Sequence, residues 1–201
     1  LALQEILLER RRQLNEDILV LLEHPPVITL GRRSRPEHLR LSETELHRRG
    51  IDLVEAARGG DVTYHGPGQL VGYPIVDLAA RGRDLHRYLR MLEEVLILTL
   101  EAFGIEGSRR KGATGVWVGE AKIASIGVGV RRWMTSHGFA LNVADDLSGF
   151  AAIIPCGLAG VRMISMEQLC SRKVAMRDVE DQVVEAFEQV FSAEGIGFHE
   201  Y

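Results

Sequence analysis

Between Arg58 and Tyr73 the chain reads Arg58-Gly59-Gly60-Asp61-Val62-Thr63-Tyr64-His65-Gly66-Pro67-Gly68-Gln69-Leu70-Val71-Gly72-Tyr73. Five of its 21 glycines fall here. Glycine is costly to order, so this density marks backbone that turns sharply or passes close to a ligand or another segment. The spacing is neither Gly-x-x-x-x-Gly-Lys-[Ser/Thr] nor Gly-x-Gly-x-x-Gly, so a phosphate cradle is not indicated. Two readings stay open: a glycine-rich hairpin with a buried Tyr, or a pocket wall. Polar Thr63, His65 and Gln69 among apolar Val62, Leu70 and Val71 favour the pocket.

On the N-terminal side, Leu3, Ile6, Leu7, Leu14 and Ile18 recur at roughly helical spacing and predict an amphipathic opening helix. Val27-Ile28-Thr29-Leu30, bounded by Pro25-Pro26 and Gly31, predicts a strand. Ser42-Glu43-Thr44-Glu45 reads as a capping box opening a short helix that Gly50 ends. On the C-terminal side, Asp84 caps a helix over 85–103, whose residues Leu85, Tyr88, Leu89, Leu92, Val95, Leu96 and Leu100 share one face, and Gly104 stops it. Strands are predicted over 116–118 and 121–130 about a Gly119-Glu120 turn, and over 137–143. A last helix over 179–191 starts near Asp178 and stops by Gly195. Helices flank runs of adjacent strands, so the expected fold class is α/β. It is a single domain over 1–201, with a mixed or antiparallel sheet and helices packed on it.

Composition narrows the function. With 46% hydrophobic and 26% charged residues, a 201-residue chain can bury a sizeable core. No window reaches roughly 18 uncharged apolar residues, so no membrane partner is expected. Twenty-four basic against 28 acidic side chains give a net charge of −4, which leaves no global field for a nucleic acid. Local basic clusters at Arg10-Arg11-Arg12, Arg32-Arg33-Ser34-Arg35 and Arg109-Arg110-Lys111 read as solvated surface, or alternatively as docking points for an acidic protein. Cys156 and Cys170 are too few for a disulfide scaffold, and neither they nor the histidines show metal-site spacing. No secretory signal is visible from Leu1, so a reducing, cytoplasmic setting is expected.

Two residues invite chemistry. Only three lysines stand against 21 arginines, and one of them is Lys122. In a strand over 121–130, alternation puts it on the face of Ala124, Ile126 and Val128, where burial disfavours the ammonium; the alternative is a strand-end lysine reaching water. Cys156, in Ile153-Ile154-Pro155-Cys156-Gly157, sits between turn formers that can present a thiol. A buried small hydrophobe is the competing reading, and it is the favoured one for Cys170. No histidine is placed by sequence beside Cys156, so a Cys/His pair cannot be argued.

Taken together these segments resemble the lipoyl(octanoyl) transferases. The resemblance rests on Arg58-Gly59-Gly60-x-x-Thr63-Tyr64-His65-x-x-Gly68-Gln69-x-Val71-x-Tyr73 and on Lys122-Ile123-Ala124-Ser125-Ile126-Gly127. His137-Gly138-Phe139-Ala140-Leu141-Asn142 and Pro155-Cys156-Gly157 add to it, with Glu23-His24-Pro25 and Thr29-Leu30-Gly31 upstream. The stretch Leu158 to Met163 is variable in such proteins.

The resemblance implies the fold of lipoate and biotin protein ligases, and a Cys/Lys dyad. Cys156 would be the nucleophile, and Lys122 would favour its thiolate and relay the proton. Arg58, Gly59, Gly60, Asp61, Val62, Thr63, Tyr64 and His65, with Ser125, Ile126 and Gly127 and with Gly138, Phe139 and Ala140, would line the acyl and pantetheine pocket. The implied partners are octanoyl-acyl carrier protein and the lipoyl domains of 2-oxoacid dehydrogenase complexes and the glycine cleavage H protein. No separate cofactor or metal is implied, because octanoyl arrives on the carrier's phosphopantetheine. Rival readings are an ATP-dependent lipoate or biotin protein ligase, a noncatalytic acyl-binding protein and a cysteine hydrolase.

Overall fold

A computed structural model describes residues 2–14, 16–144, 146–157, 160–192 and 198–199. In chain order its elements are α1 (Ala2–Leu14), β1 (Asp17–Leu22), β2 (Val27–Leu30), α2 (Glu43–Arg48), β3 (Asp52–Glu55), β4 (Val62–His65), β5 (Gln69–Ile75) and α3 (Leu85–Ala102). There follow β6 (Ser108–Arg110), β7 (Ala113–Val118), β8 (Ala121–Arg131), β9 (Met134–Asn142), β10 (Arg162–Met163), α4 (Met166–Cys170), α5 (Met176–Ser192) and β11 (Phe198–His199). An eight-stranded sheet runs β11-β1-β5-β9-β8-β7-β6 with β10 beside β8, and a three-stranded sheet runs β3-β2-β4. Pairing is antiparallel except for β1 with β11, β8 with β10 and β2 with β3, so both sheets are mixed.

Local chemistry sets the boundaries of α3. The Asp84 carboxylate accepts from the Arg87 N–H at 3.0 Å, and Gly104 ends the helix at φ +73°. Its apolar face (Tyr88, Leu92, Leu96, Leu100) meets Val179, Val183 and Phe187 of α5 and Ile123, Ala124 and Leu141 of the large sheet. Each such side chain contributes about 1.5–3 kcal/mol on burial. Ile28, Leu46, Val62, Phe150 and Ile153 form a separate cluster against the small sheet. No helix among the described residues is long and apolar enough to cross a membrane.

The structure corrects several expectations. Ile18 is not on the opening helix: α1 stops at Leu14 and Ile18 is a buried residue of β1, a strand that the helical spacing obscured. The side chains of Leu3 and Leu14, and the predicted stop at Gly195, lie outside the described residues. Half of the α2 capping box forms, because Ser42 accepts from the Glu45 N–H while the Glu45 carboxylate pairs with Arg48 and Arg49. The full box is at α4, where Ser165 and Gln168 cap each other. Strand β9 begins at Met134, ahead of the expected 137, since Arg132 and Trp133 make the hairpin turn at φ 52° and 68°. Arg11 is buried against Asp17, not solvated.

The glycine-rich stretch is not a hairpin. Strand β4 pairs with β2 in the small sheet, and β5 pairs with β1 and β9 in the large one. Gly66-Pro67-Gly68 therefore carries the chain from one sheet to the other, and the cleft between them holds the chemistry described next.

Candidate active site

Lys122 opens the large-sheet side of this cleft. Val116 pairs with Ala124 while Trp117 pairs with Lys122, so β8 holds one extra residue, Ile123, at a bulge. The bulge flips the alternation. Ala121 and Ile123 face the helix core before it, and Ala124, Ile126 and Val128 face that core after it. Lys122 is thus not on the face of Ala124, as strict alternation predicts, but on the same side as Ser125. It is 2% exposed all the same. Gly115 makes room for it: a Cβ there would lie 2.7 Å from Lys122 Cε, on backbone at φ +126°. Glu93, itself buried, fixes that backbone by accepting from the Gly115 N–H at 3.1 Å.

Cys156 comes from the opposite side. It occupies a single turn, Pro155–Gly157, with left-handed φ 57° and ψ 17°. A non-glycine residue held there carries strain of order 1–3 kcal/mol. Ile154 N donates to the His38 carbonyl at 2.8 Å and Gly157 N to the Ile154 carbonyl at 3.1 Å, which holds the turn. Lys122 Nζ donates to Cys156 Sγ at 3.3 Å, and Ser125 Oγ lies 4.0 Å from the same sulfur. Lys122 Nζ also sits 5.4 Å from the centre of the Trp117 ring. Two segments distant in sequence are brought into contact here.

Arg58 spans the middle of the cleft. Its Nη2 donates to the Thr29 carbonyl and to Thr29 Oγ1, each at 2.7 Å, and its Nη1 donates to the Gly59 carbonyl at 3.1 Å. Burial lowers the guanidinium from its ordinary value, while Cys156, Asp61 and Tyr73 pull it back up.

The far end is a ring cluster of His24, His65, Tyr73 and His137. His24 Nε2 and Tyr73 Oη are 2.6 Å apart, the His24 and His65 ring centres lie 5.8 Å apart, and Tyr73 meets His137 edge-on. A chain of amides fixes the His65 tautomer. Asn142 Nδ2 donates to the Ile164 carbonyl, Gln69 Nε2 donates to Asn142 Oδ1, and Gln69 Oε1 must then accept from His65 Nδ1–H at 2.7 Å. His65 Nε2 is left as an acceptor. Burial lowers both His65 and His137 to about 4, so both rings are neutral at pH 7. The Gln4 side chain of α1 caps this end, accepting from the His137 N–H at 2.7 Å.

The cleft has a volume of about 690 Å³, within the range of sites that enclose most of a small ligand. Of the residues singled out from sequence, Arg58, Gly60, Asp61, Val62, Thr63, His65, Lys122, Ser125, Ile126, Gly127, Gly138, Phe139, Ala140 and Cys156 line it. Two do not. Alternation along β4 turns Tyr64 onto Phe150 in the second core, away from Thr63 and His65. Gly59 lies with its N–H donating to the Val128 carbonyl at 2.8 Å, as backbone support. His38 also lines the cleft without having been singled out, and so do Tyr73 and His137, which the resemblance had quoted without giving them a pocket role. His38 is a lone ring in a segment that carries no spacing signal.

A family model described as "Lipoyl protein ligase A/B catalytic domain" matches residues 1–188. The chain belongs to the lipoyl protein ligase A/B catalytic-domain family. Within that family it is 53% identical over 174 residues to an octanoyltransferase of Syntrophotalea carbinolica, covering 87% of this chain and 79% of the relative. It is 46% identical over 192 residues to the octanoyltransferase of Thermosynechococcus vestitus, covering 95% and 83%. Its fold is that of a lipoate-protein ligase A solved with ATP (TM-score 0.76, 19% identity, 92% of this chain and 75% of that one). A biotin protein ligase from Aquifex aeolicus has a TM-score of 0.56 at 14% identity, covering 84% and 71%. The expected family and fold class are both borne out.

Proposed function

We propose that this chain is an octanoyltransferase of lipoate synthesis. It takes octanoyl from octanoyl-acyl carrier protein and passes it to a lysine of a lipoyl domain through a thioester on Cys156. The observation that carries this reading is the 3.3 Å contact between Lys122 Nζ and Cys156 Sγ at the wall of the cleft. Octanoyltransferase relatives at 53% identity support it.

The chemistry follows from the contact. A free thiol is only a few per cent thiolate at pH 7, and the thiolate is the nucleophile. An adjacent ammonium favours the charged sulfur. Thiolate attack on the carrier thioester forms the Cys156 thioester and expels the pantetheine thiolate, to which Lys122 gives its proton. Exchange of one thioester for another is nearly balanced in free energy, so neither nucleotide nor other cofactor is required. Attack by the acceptor lysine then yields the more stable amide and returns a proton to Lys122. Eight carbons in the cleft gain up to about 0.8 kcal/mol per buried methylene. In this reading the acceptors are the lipoyl domains of 2-oxoacid dehydrogenase complexes and the glycine cleavage H protein, in the cytoplasm, where both free cysteines stay reduced.

The test is to mix the protein with octanoyl-acyl carrier protein without nucleotide and weigh it intact. The expected result is a gain of one octanoyl group, absent from Cys156→Ala. No gain, or a gain that survives in Cys156→Ala, overturns the thioester. Amide formation that requires ATP marks a ligase instead, and release of free octanoate a hydrolase.

A further inference from the structure

Beside the nucleophile stands a second pair of groups that the Cys/Lys chemistry does not use. His38 Nδ1 lies 2.6 Å from Asp61 Oδ2, and Asp61 Oδ1 accepts from the Val62 N–H at 2.7 Å. The carboxylate is therefore held at both oxygens. A neutral His38 carries its proton on Nδ1, toward Asp61, and its lone pair on Nε2. No described residue bonds Nε2. Both side chains line the cleft with Cys156, and they lie against the residue that follows it. A Cβ on Gly157 would press on Asp61 Oδ2 and stand 2.9 Å from His38 Cε1. The His38 carbonyl accepts from Ile154, and Leu39 bridges to Ile153, so the nucleophile turn and the ring share one scaffold.

The proton count of transfer gives this pair a task. A lysine amine of ordinary pKa about 10.4 is neutral in only about one molecule in a few thousand at pH 7. The acceptor therefore arrives as R–NH3+ and must lose two protons to become an amide nitrogen. Lys122, having given its proton to the departing carrier thiol, can take back one. The other needs a second base.

We infer that His38, oriented by Asp61, is that second base. The inference rests on the octanoyltransferase reading above. His38 Nε2 takes a proton from the incoming ammonium, which frees the nitrogen lone pair. As the C–N bond forms and the C–S bond breaks, the electron pair leaves on Cys156 Sγ and the remaining excess proton passes to Lys122. Asp61 balances the imidazolium until it releases its proton to water. The arrangement is that of a nucleophile served by a base that a carboxylate orients, with the base here acting on the second substrate.

The experiment compares two nucleophiles on isolated octanoyl-enzyme in single turnover. Hydroxylamine is already neutral at pH 7 and needs no base to free its lone pair, whereas a lipoyl-domain lysine does. His38→Gln should slow transfer to the lysine about a hundredfold more than it slows release by hydroxylamine. Asp61→Asn should show the same contrast at about tenfold, and serves if His38→Gln does not fold. Equal slowing of both nucleophiles assigns the pair a structural role and overturns the inference, as does unchanged lysine transfer. Failure of the wild-type protein to form octanoyl-enzyme overturns instead the reading on which the inference rests.

Discussion

The two ends of the cleft solve opposite electrostatic problems. At the sulfur end Lys122, Cys156, His38 and Asp61 place ionisable groups in direct contact, at 3.3 Å and 2.6 Å. At the ring end His24, His65, Tyr73 and His137 are joined by one hydrogen bond and by ring contacts, and burial keeps His65 and His137 uncharged. Arg58 lies between, held by Thr29. The ring end thus presents neutral rings and amides, while Arg58, Arg33, Arg35, Asp52 and Glu55 add charge elsewhere along the cleft. In the proposed function, an uncharged acyl chain lying against the ring end displaces water there without stripping an ion of its solvent.

Removing the amine should produce the largest effect. Lys122→Ala is expected to lower octanoyl transfer about a hundredfold or more, and to slow alkylation of Cys156 by iodoacetamide at pH 7 by about tenfold. Lys122→Arg should not restore transfer, because a guanidinium does not release its proton. If the alkylation rate stays at the wild-type value, the sulfur end is not an ionic pair. Gly115→Ala tests the same contact without touching either partner. Its Cβ would press on the Ala124 carbonyl of β8 and stand 2.7 Å from Lys122 Cε, on backbone that L residues avoid. The expected outcome is a loss of about 1–3 kcal/mol in chemical denaturation, with transfer reduced by about tenfold or more as the amine moves off the sulfur.

That contact also marks where the sequence stops being legible. The helix over 85–103 was readable because its caps and apolar face are local, and α3 forms there. The strand 27–30 was readable for the same reason. A type of turn built from Arg132 and Trp133 carries none of the usual glycine or asparagine, so the true start of β9 was not readable. The bulge at Ile123 was invisible too, because it depends on how β7 registers against β8; alternation then named the wrong face for Lys122. For the site, Cys156 and Lys122 stood out by setting and rarity, but their meeting came only from the resemblance. His38 reaches the nucleophile turn through strand and turn pairings more than a hundred residues apart in sequence, which no spacing encodes.

At the ring end the expected effect is on stability, with a definite sign. His65 and His137 have folded values of about 4 against an ordinary 6.5. Below pH 6.5 the unfolded chain binds protons that the folded chain refuses, so stability falls as pH drops from 6.5 to 4 and these rings add no further slope below that. For His65 the slope is up to about 1.4 kcal/mol per pH unit. Urea midpoints measured across this range should decline with falling pH, and His65→Gln should flatten the decline. A midpoint that is level between pH 6.5 and 4 would mean that the ring end already carries charge. Gln69→Glu sharpens the point by setting a carboxylate against His65 Nδ1. The His65 ring should then titrate well above 4 when followed by NMR, turning this end into a copy of the His38 and Asp61 pair.

The smallest effect separates contact from proximity at the sulfur. Ser125 Oγ is 4.0 Å from Cys156 Sγ, whereas Lys122 Nζ is at 3.3 Å and carries a charge. A neutral hydroxyl at the limit of reach contributes at most about 0.5–1.5 kcal/mol, so Ser125→Ala should reduce transfer by less than about tenfold. It should also leave the nucleotide-free gain of one octanoyl group intact. The alanine methyl fits where Cβ already stands, and its neighbours Gly127 and Gly138 stay paired across β8 and β9. A loss as large as that of Lys122→Ala would therefore not be a packing effect. It would place the hydroxyl on the path of the proton, and the sulfur end would have to be redrawn as three groups acting in series.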